Sequence, residues 1–249
     1  MDALLDPVGL LALLTLTLLE IVLGIDNVIF IAIITDTLPP EKRNLARRLG
    51  LGLALGGRVV MVLGVSWLIS LEHPLFTVLD HEITISGLIL IAGGLFLLYK
   101  SVREIFNTTE LHDEEKGAMR ERASLASVIA QIVVIDMIFA VDSVLTAVGL
   151  TGEIVLIIIA ITIAIGVMMF YAGPVSDFIS KHPSLKLLAL AFLVLIGVML
   201  LLEGIGEPIS RTTVYVAIMF ALGVEYLNFR RRRNLERSGD HVVPGQEGV

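Results

Sequence analysis

The sequence contains no cysteine and few charged residues. The missing cysteine excludes both a disulfide framework and a thiolate metal site. Charged residues make up 17% of the 249 residues, against about 25% in soluble domains. The five histidines lie outside the long apolar runs, which argues against an intramembrane Zn²⁺ or Cu²⁺ site. Hydrophobic residues reach 56% and form runs of membrane length, so the chain is predicted to be an integral membrane protein.

Seven apolar segments are long enough to cross a bilayer as helices. Their approximate bounds are 8–35, 46–71, 84–104, 125–150, 153–172, 184–204 and 211–229. The alternation of apolar and polar residues that is typical of a transmembrane β-barrel is missing. Because only helices and closed barrels can span a lipid bilayer, these segments are predicted to be helices. No basic residue precedes the first run, so it is expected to be a true span rather than a cleaved signal peptide. The sequence predicts an all-α polytopic membrane protein, with a transmembrane domain over 1–229 and a disordered cytoplasmic tail over 230–249.

Lysine and arginine are concentrated in alternate connections and in the tail. In a seven-span topology, one side of the membrane holds Lys42, Arg43, Arg47, Arg48, Lys100, Arg103, Lys116, Arg120, Arg122, Lys181, Lys186, Arg230, Arg231, Arg232, Arg233 and Arg237. The opposite side has only Arg211. By the positive-inside rule, the N-terminus is predicted outside and the C-terminus in the cytoplasm, with the chain in the cytoplasmic (inner or plasma) membrane.

Two acidic pairs with the same spacing interrupt the apolar runs. The pairs are Glu20 with Asp26 and Asp136 with Asp142, and their second members are followed by Asn27 and Ser143. A charged side chain at mid-bilayer costs about 2.5–3.5 kcal/mol on insertion scales. Carboxylate, amide and hydroxyl oxygens suit hard cations such as Mg²⁺, Ca²⁺ or Mn²⁺. These six residues are therefore the predicted metal ligands.

The two acidic motifs indicate an internal repeat. Residues 19–28 align with 135–144 at an offset of 116. In this alignment the acidic residues of the two motifs, which are energetically costly in a membrane, coincide. Two apolar helices could match by composition alone, but coincident carboxylates favour a true repeat. Because the copies lie in the first and fourth spans, an offset of three, the repeat is inverted, with repeat one about 8–104, repeat two about 125–204 and an extra helix about 211–229. In transporters with such repeats, the site lies near the midplane where the copies meet.

Helix geometry sets a condition on this site. Glu20, Gly24 and Asn27 share one helix face, and the second copy has the same spacing with Ala140 in place of Gly24. The second carboxylate of each pair lies roughly 120° away on a regular helix. The carboxylates of one pair can thus join one site only if the helix breaks near Gly24 and Ala140, or if the site spans two faces.

Other polar residues of the spans are candidates for supporting roles. Arg58 lies deep in the second span and is predicted to pair with the carboxylates rather than to snorkel to the membrane surface. Thr15 and Gln131 are aligned polar residues that precede the two acidic motifs. Glu225 lies in the last span, where an interfacial ion pair is favoured over a ligand.

The paired motifs resemble those of the TerC family of integral membrane proteins. The resemblance rests on Glu20–Asn27, Phe139–Val144, the Arg-Arg-Leu-Gly of 47–50 and the Gly-Gly-Leu-Phe-Leu-Leu-Tyr-Lys of 93–100. The family is named for tellurium resistance, and several members export manganese and help to metalate secreted proteins. The resemblance is greatest to the short branch without CBS domains, and it implies that the six acidic-motif residues form the ion site.

Three functions are open at this point. The first is a divalent cation exporter that is not an enzyme, with Mn²⁺ as the expected substrate, no permanently bound cofactor and proton coupling as a further hypothesis. The second is a non-transporting membrane hub for tellurite or metal resistance. The third is an intramembrane aspartyl protease, but the Tyr-Asp and Gly-x-Gly-Asp contexts of such enzymes are missing here. The expected partners are the metal cation and the lipid bilayer, without nucleic acid and with the oligomeric state left open.

Overall fold

The computed structural model of the chain describes residues 6–78, 81–110, 124–207 and 209–238. Its helices are α1 Pro7–Leu23, α2 Ile25–Asp36, α3 Pro40–Leu63, α4 Val65–Ser70, α5 Ile85–Thr109, α6 Leu125–Thr151, α7 Ile154–Lys181, α8 Pro183–Gly204 and α9 Arg211–Ser238. An antiparallel hairpin of β1 (Pro74–Val78) and β2 (His81–Thr84) precedes α5. Prolines occupy the first positions of α1, α3 and α8, where a missing N–H costs no helical hydrogen bond.

The predicted class, an all-α polytopic membrane protein, is confirmed. Within the described residues, six helical segments are long and apolar enough to cross a membrane: 7–36, 85–109, 125–151, 154–181, 183–204 and 212–231. The second predicted span, 46–71, is not among them. It is the helix pair α3–α4, and its arginines reduce its apolar character. The total of seven spans and the orientation stay predictions.

Two predicted boundaries are too early. Helix α7 continues to Lys181, past the predicted end at 172 and through Pro174, because packed membrane helices tolerate proline. Helix α9 continues to Ser238, so the predicted disordered tail cannot begin at 230. Residues 230–238 include five arginines, one leucine and one glutamate, which favour helix, and the first glycine after 229 is at 239. Residues 239–249 of the predicted tail lie outside the described residues.

The chain divides into two compact units, 1–209 and 210–249. In the first unit, the helices of the two predicted repeats pair reciprocally. Helix α1 packs on α7, α3 packs on α6, and α5 packs on α8. The first helix of one predicted repeat thus meets the second helix of the other, and third meets third. A twofold relation between two three-helix units would produce this pairing. The second unit contains α9.

Glycines bring α5 and α8 into close contact. A Cβ atom added at Gly94 would lie 2.7 Å from the Gly197 carbonyl oxygen, and one at Gly204 would lie 2.6 Å from the Gly87 carbonyl oxygen. Backbones can approach this closely in membranes only where small residues line both helices. Gly94 and Gly197 therefore have a role in close helix packing.

Candidate cation site

The first apolar segment breaks at Gly24, one of the two positions considered from the sequence as break points. Helix α1 ends at Leu23 and α2 begins at Ile25. A Cβ at Gly24 would lie 2.6 Å from Met168 Cε and 3.0 Å from the Glu20 carbonyl oxygen, so a larger side chain would crowd the break. Asp26 and Asn27 follow the break at the start of α2, and both are buried, as is Glu20 before it. Both members of the first acidic pair therefore face inward.

The second acidic motif lies on an unbroken helix. Helix α6 runs from Leu125 to Thr151 without interruption, so the break considered near Ala140 does not occur. Alanine favours helix and lacks the conformational freedom of glycine. Asp136 is buried, whereas Asp142, farther along the helix, is only half-buried. The two motifs share a sequence pattern but present their second carboxylates differently.

Arg58 is the centre of a buried charge cluster. Its side chain is 2% exposed and bridges the two motifs. Nε donates to Asp136 Oδ2 at 2.9 Å, and Nη2 donates to Asp136 Oδ1 at 2.9 Å. Nη1 donates to Glu20 Oε2 at 2.7 Å and to Ser143 Oγ at 3.4 Å. The predicted pairing of Arg58 with the carboxylates, as opposed to snorkelling, matches these contacts.

Asn27 joins this cluster from α2. Its Nδ2 donates to Asp136 Oδ1 at 3.2 Å. Within the described part of the chain, its Oδ1 is buried without a hydrogen-bond partner. Asp26 lies within electrostatic reach of Arg58. Three of the six predicted ligands (Glu20, Asp136 and Ser143) thus contact the guanidinium, and Asn27 and Asp26 are linked to it through Asp136 and through electrostatic interaction.

Asp142 lines a separate cavity of about 390 Å³. The cavity wall also includes Glu72, Glu82 and Glu203, which come from the loop after α4, from β2 and from the end of α8. Among the described residues, no group of three carboxylates or histidines is arranged to hold a metal ion. In this conformation Arg58, not a set of converging carboxylates, occupies the space between Glu20 and Asp136.

Comparison with known protein families identifies the family of this chain. Residues 5–239 match the family described as integral membrane protein TerC family. The chain belongs to the TerC family. No solved structure matches this TerC protein.

Similar bacterial proteins match more than nine-tenths of the chain. A UPF0053 protein of Haemophilus influenzae is 46% identical over 231 residues, which are 92% of this chain and 96% of the relative. The UPF0053 inner membrane protein YgdQ of Escherichia coli is 45% identical over 228 residues, 92% and 95% of the two chains. The UPF0053 inner membrane protein YoaE of Escherichia coli is 42% identical, but only 46% of its length is matched. The names and the apolar helices confirm a multi-pass protein of the cytoplasmic membrane.

Two of the secondary candidates of the TerC protein, Thr15 and Gln131, form hydrogen bonds within their own helices. Thr15 is exposed, and its hydroxyl donates to the Leu11 carbonyl of its own helix at 2.8 Å. Gln131 Nε2 donates to Ser127 O and Ser127 Oγ, also within its own helix. Glu225 lies in α9, in the second unit. Thr15 and Gln131 were candidates because they are polar and aligned in the two repeats, but the side chain of each forms its hydrogen bonds within its own helix.

The structure contains a second polar network that the sequence did not predict. Asp36, at the end of α2, pairs with Arg43 Nη1 at 2.9 Å and with Lys186 Nζ at 3.2 Å. Lys186 also pairs with Glu104 Oε1 at 3.2 Å. These contacts join α2, α3, α5 and α8 at one end of the first unit. The missed signal was Asp36, an acid at the end of an apolar run and close to basic residues.

A buried arginine adjoins this network. Arg47 donates to Ser176 Oγ at 2.8 Å and to Thr35 Oγ1 at 3.3 Å. It thereby ties α3 to α2 and α7. Arg47 belongs to the Arg-Arg-Leu-Gly sequence that resembles the family pattern. Its contacts give that segment a packing role near the basic end of the protein.

Proposed function

We propose that this TerC protein is a divalent metal cation exporter of the cytoplasmic membrane and not an enzyme, with Mn²⁺ as the expected substrate. The observation that carries the proposal is the buried bridge in which Arg58 joins Glu20 of the first motif to Asp136 of the second. An intramembrane cluster of ionisable residues typically marks an ion pathway. Its oxygen ligands suit a hard divalent cation.

The charges of the cluster match one divalent cation. When ionised, Glu20, Asp26 and Asp136 carry three negative charges, and Arg58 neutralises one of them. Two negative charges then remain, which one divalent cation would balance. Because Arg58 engages both oxygens of Asp136 and one of Glu20, a cation that binds these carboxylates must weaken at least one of its contacts. We propose that Arg58 holds the carboxylates together until the cation binds them and provides part of the positive charge that Arg58 provided.

The half-buried Asp142 supplies a second stage in this mechanism. It follows Asp136 by six residues on α6 and lines the cavity of about 390 Å³ with other acidic residues. We propose that a cation leaving the Arg58 cluster passes to Asp142 and then to this cavity. Protonation of a vacated carboxylate would couple export to proton movement, which stays a hypothesis.

The rival functions make different use of the aspartates. A protease would need Asp26 and Asp142 to act as a dyad on a substrate peptide. The two lie in different surroundings, Asp26 within electrostatic reach of Arg58 and Asp142 at the acidic cavity, which favours an ion pathway. A hub for stress resistance would leave the buried charges without a role.

The test is the intracellular metal content of cells that express the chain under Mn²⁺ load. We expect cells with the wild-type chain to contain less Mn than control cells, and Asp136→Asn or Glu20→Gln to abolish the difference. Removal of either carboxylate disrupts the cluster that receives the cation. Membrane expression of each variant is measured in parallel, because the substitutions also remove partners of Arg58.

Glu153→Gln is the matched control for this test. Glu153 is an exposed acid at the start of α7, so its loss should leave export unchanged. Equal metal content in wild-type and control cells across Mn, Ca, Mg, Zn and Fe would contradict export and favour the hub or the protease. Export that persists in Asp136→Asn would contradict the site.

A further inference from the structure

Thr17 has a buried hydroxyl that departs from the behaviour of other helical threonines in this chain. Five of those threonines (Thr15, Thr35, Thr108, Thr109 and Thr162) donate to the carbonyl four residues earlier, at 2.7–2.9 Å. For Thr17 the equivalent acceptor is the Leu13 carbonyl. Thr17 Oγ1 is nevertheless buried without a hydrogen-bond partner among the described residues, and the residue is only 9% exposed. Its hydroxyl is therefore available for an interaction other than local back-bonding.

The position of Thr17 associates it with the charge cluster. Thr17 lies one turn before Glu20 in α1, and both belong to the buried face of that helix. Residues three apart on a helix are neighbours on its surface. Asn27 Oδ1, just past the break at Gly24, is a second buried oxygen without a partner. The two unsatisfied oxygens thus lie on either side of Glu20 along the first span.

Buried oxygens without partners need a physical explanation. Native structures satisfy nearly all buried polar atoms, and exceptions often mark a functional site or an unseen ion or water. A hydroxyl has two acceptor lone pairs and an amide oxygen has two more. Hard cations accept such neutral oxygens together with carboxylates. The two oxygens therefore complete the kind of ligand set that carboxylates alone do not provide.

We infer that Thr17 Oγ1 is a ligand of the transported divalent cation, acting with Glu20 and with Asn27 Oδ1. This inference rests on the proposed export function and adds a residue to it. Thr17 lies toward the N-terminal end of α1 from Glu20, the end that the positive-inside rule assigns to the outside. The hydroxyl would replace a water ligand as the cation moves between the Glu20 carboxylate and the outer side.

The experiment uses the purified full-length chain in proteoliposomes, with Mn²⁺ as the probe. Thr17→Val removes the hydroxyl with little change of shape, and Thr17→Ser retains it. Thr15→Val is the control, because Thr15 is exposed and its hydroxyl bonds within its own helix. We expect Thr17→Val to raise the KM for Mn²⁺ by about tenfold or more, in the range seen when support of a metal site is lost. Thr17→Ser and Thr15→Val should transport as the wild type does.

Thermal stability separates a ligand from a structural hydroxyl. Because Thr17→Val removes a buried polar atom without a partner, the Tm of the metal-free protein should stay the same or rise. The increase in Tm on addition of Mn²⁺ should be smaller than in the wild type. A lower metal-free Tm with an unchanged Mn²⁺ effect would show that the hydroxyl has a structural partner, such as a buried water, and would overturn the inference.

The outcomes distinguish this inference from the function on which it rests. If wild-type proteoliposomes move no Mn²⁺, Mg²⁺ or Ca²⁺, the export proposal fails, and the role of Thr17 fails with it. If the wild type transports Mn²⁺ and Thr17→Val does so with the same KM, only the role of Thr17 is overturned.

Discussion

At the scale of single residues, Arg58 is the side chain on which the cluster depends. A guanidinium presents its donors in a planar fork, and here two of them meet both oxygens of Asp136 while a third meets Glu20. Taking these charges out of water is costly, so each is tolerated only because the others are present. Removing one member leaves an uncompensated charge in a buried position. The three residues therefore act as one unit.

The energetic coupling of Arg58 and Asp136 can be measured in a double-mutant cycle. We expect Arg58→Met and Asp136→Leu each to lower the free energy of unfolding by about 3–5 kcal/mol, because each leaves buried charge without its partner. The double variant should lose clearly less than the sum of the two, because it removes both members of the bidentate pair. Unfolding in mixed micelles gives the three values. Additive losses would show that the bridge is not an energetic unit.

At the scale of the helices, glycine decides two features of the architecture. Gly24 permits the break between α1 and α2, and Gly94, Gly197, Gly87 and Gly204 permit the close crossing of α5 and α8. The crossing joins the third helices of the two predicted repeats. In a bilayer, no hydrophobic effect drives helices together, so close van der Waals contact between small residues matters more than in water.

Gly94→Ala tests the crossing of α5 and α8. The new Cβ would lie 2.7 Å from the Gly197 carbonyl oxygen and 3.1 Å from the Leu201 nitrogen, and two helix backbones cannot yield as a flexible side chain can. We expect the free energy of unfolding to fall by about 1–3 kcal/mol, as in other overpacked sites. Thermal unfolding of the purified protein is the measurement.

Gly52→Ala is the matched control for this helix contact. Gly52 is helical, and a Cβ there would meet nothing within 4 Å. Its replacement should leave the Tm unchanged or raise it, since alanine favours helix over glycine by about 1 kcal/mol. Equal effects of the two substitutions would indicate that helix propensity, not the close crossing, accounts for the result.

At the scale of the whole molecule, the two ends of the first unit differ in charge. One end carries the ion pairs of Asp36, Arg43, Glu104 and Lys186. The other carries the acidic cavity that Asp142 lines. The ion pairs bring the end of α2, the start of α3, the late turns of α5 and the start of α8 to one side, as the predicted topology requires for these connections.

The orientation can be tested because the chain has no cysteine. Single cysteines at Glu72 and Glu110, both exposed, report on opposite sides in the predicted topology. In intact cells, a membrane-impermeant maleimide should label Glu72→Cys but should label Glu110→Cys only after permeabilisation. The reason is the excess of lysine and arginine in the cytoplasmic connections. The reverse pattern would contradict the N-out orientation, and labelling of both in intact cells would contradict the topology.

Some features of the site could be derived from particular residues. The cost of a buried charge made Glu20, Asp26, Asp136 and Asp142 conspicuous, and the depth of Arg58 indicated a partner for them. Gly24 could be named as a candidate break point because transporters contain discontinuous helices, but the sequence left open whether the helix breaks there. Thr17 could not be distinguished from Thr15 in this way, because a threonine in an apolar helix normally bonds to its own backbone.

The sequence by itself determined the membrane class, the approximate helices and the buried charges, because hydropathy and charge burial are local costs that any fold must meet. Only the tertiary structure decided that Arg58 lies between Glu20 and Asp136, that Asp142 faces another cavity, and that Asp36 pairs with Lys186. These arrangements depend on which helix faces pack together and on how closely they approach. Packing of that kind joins residues far apart in the chain, and no local pattern encodes it.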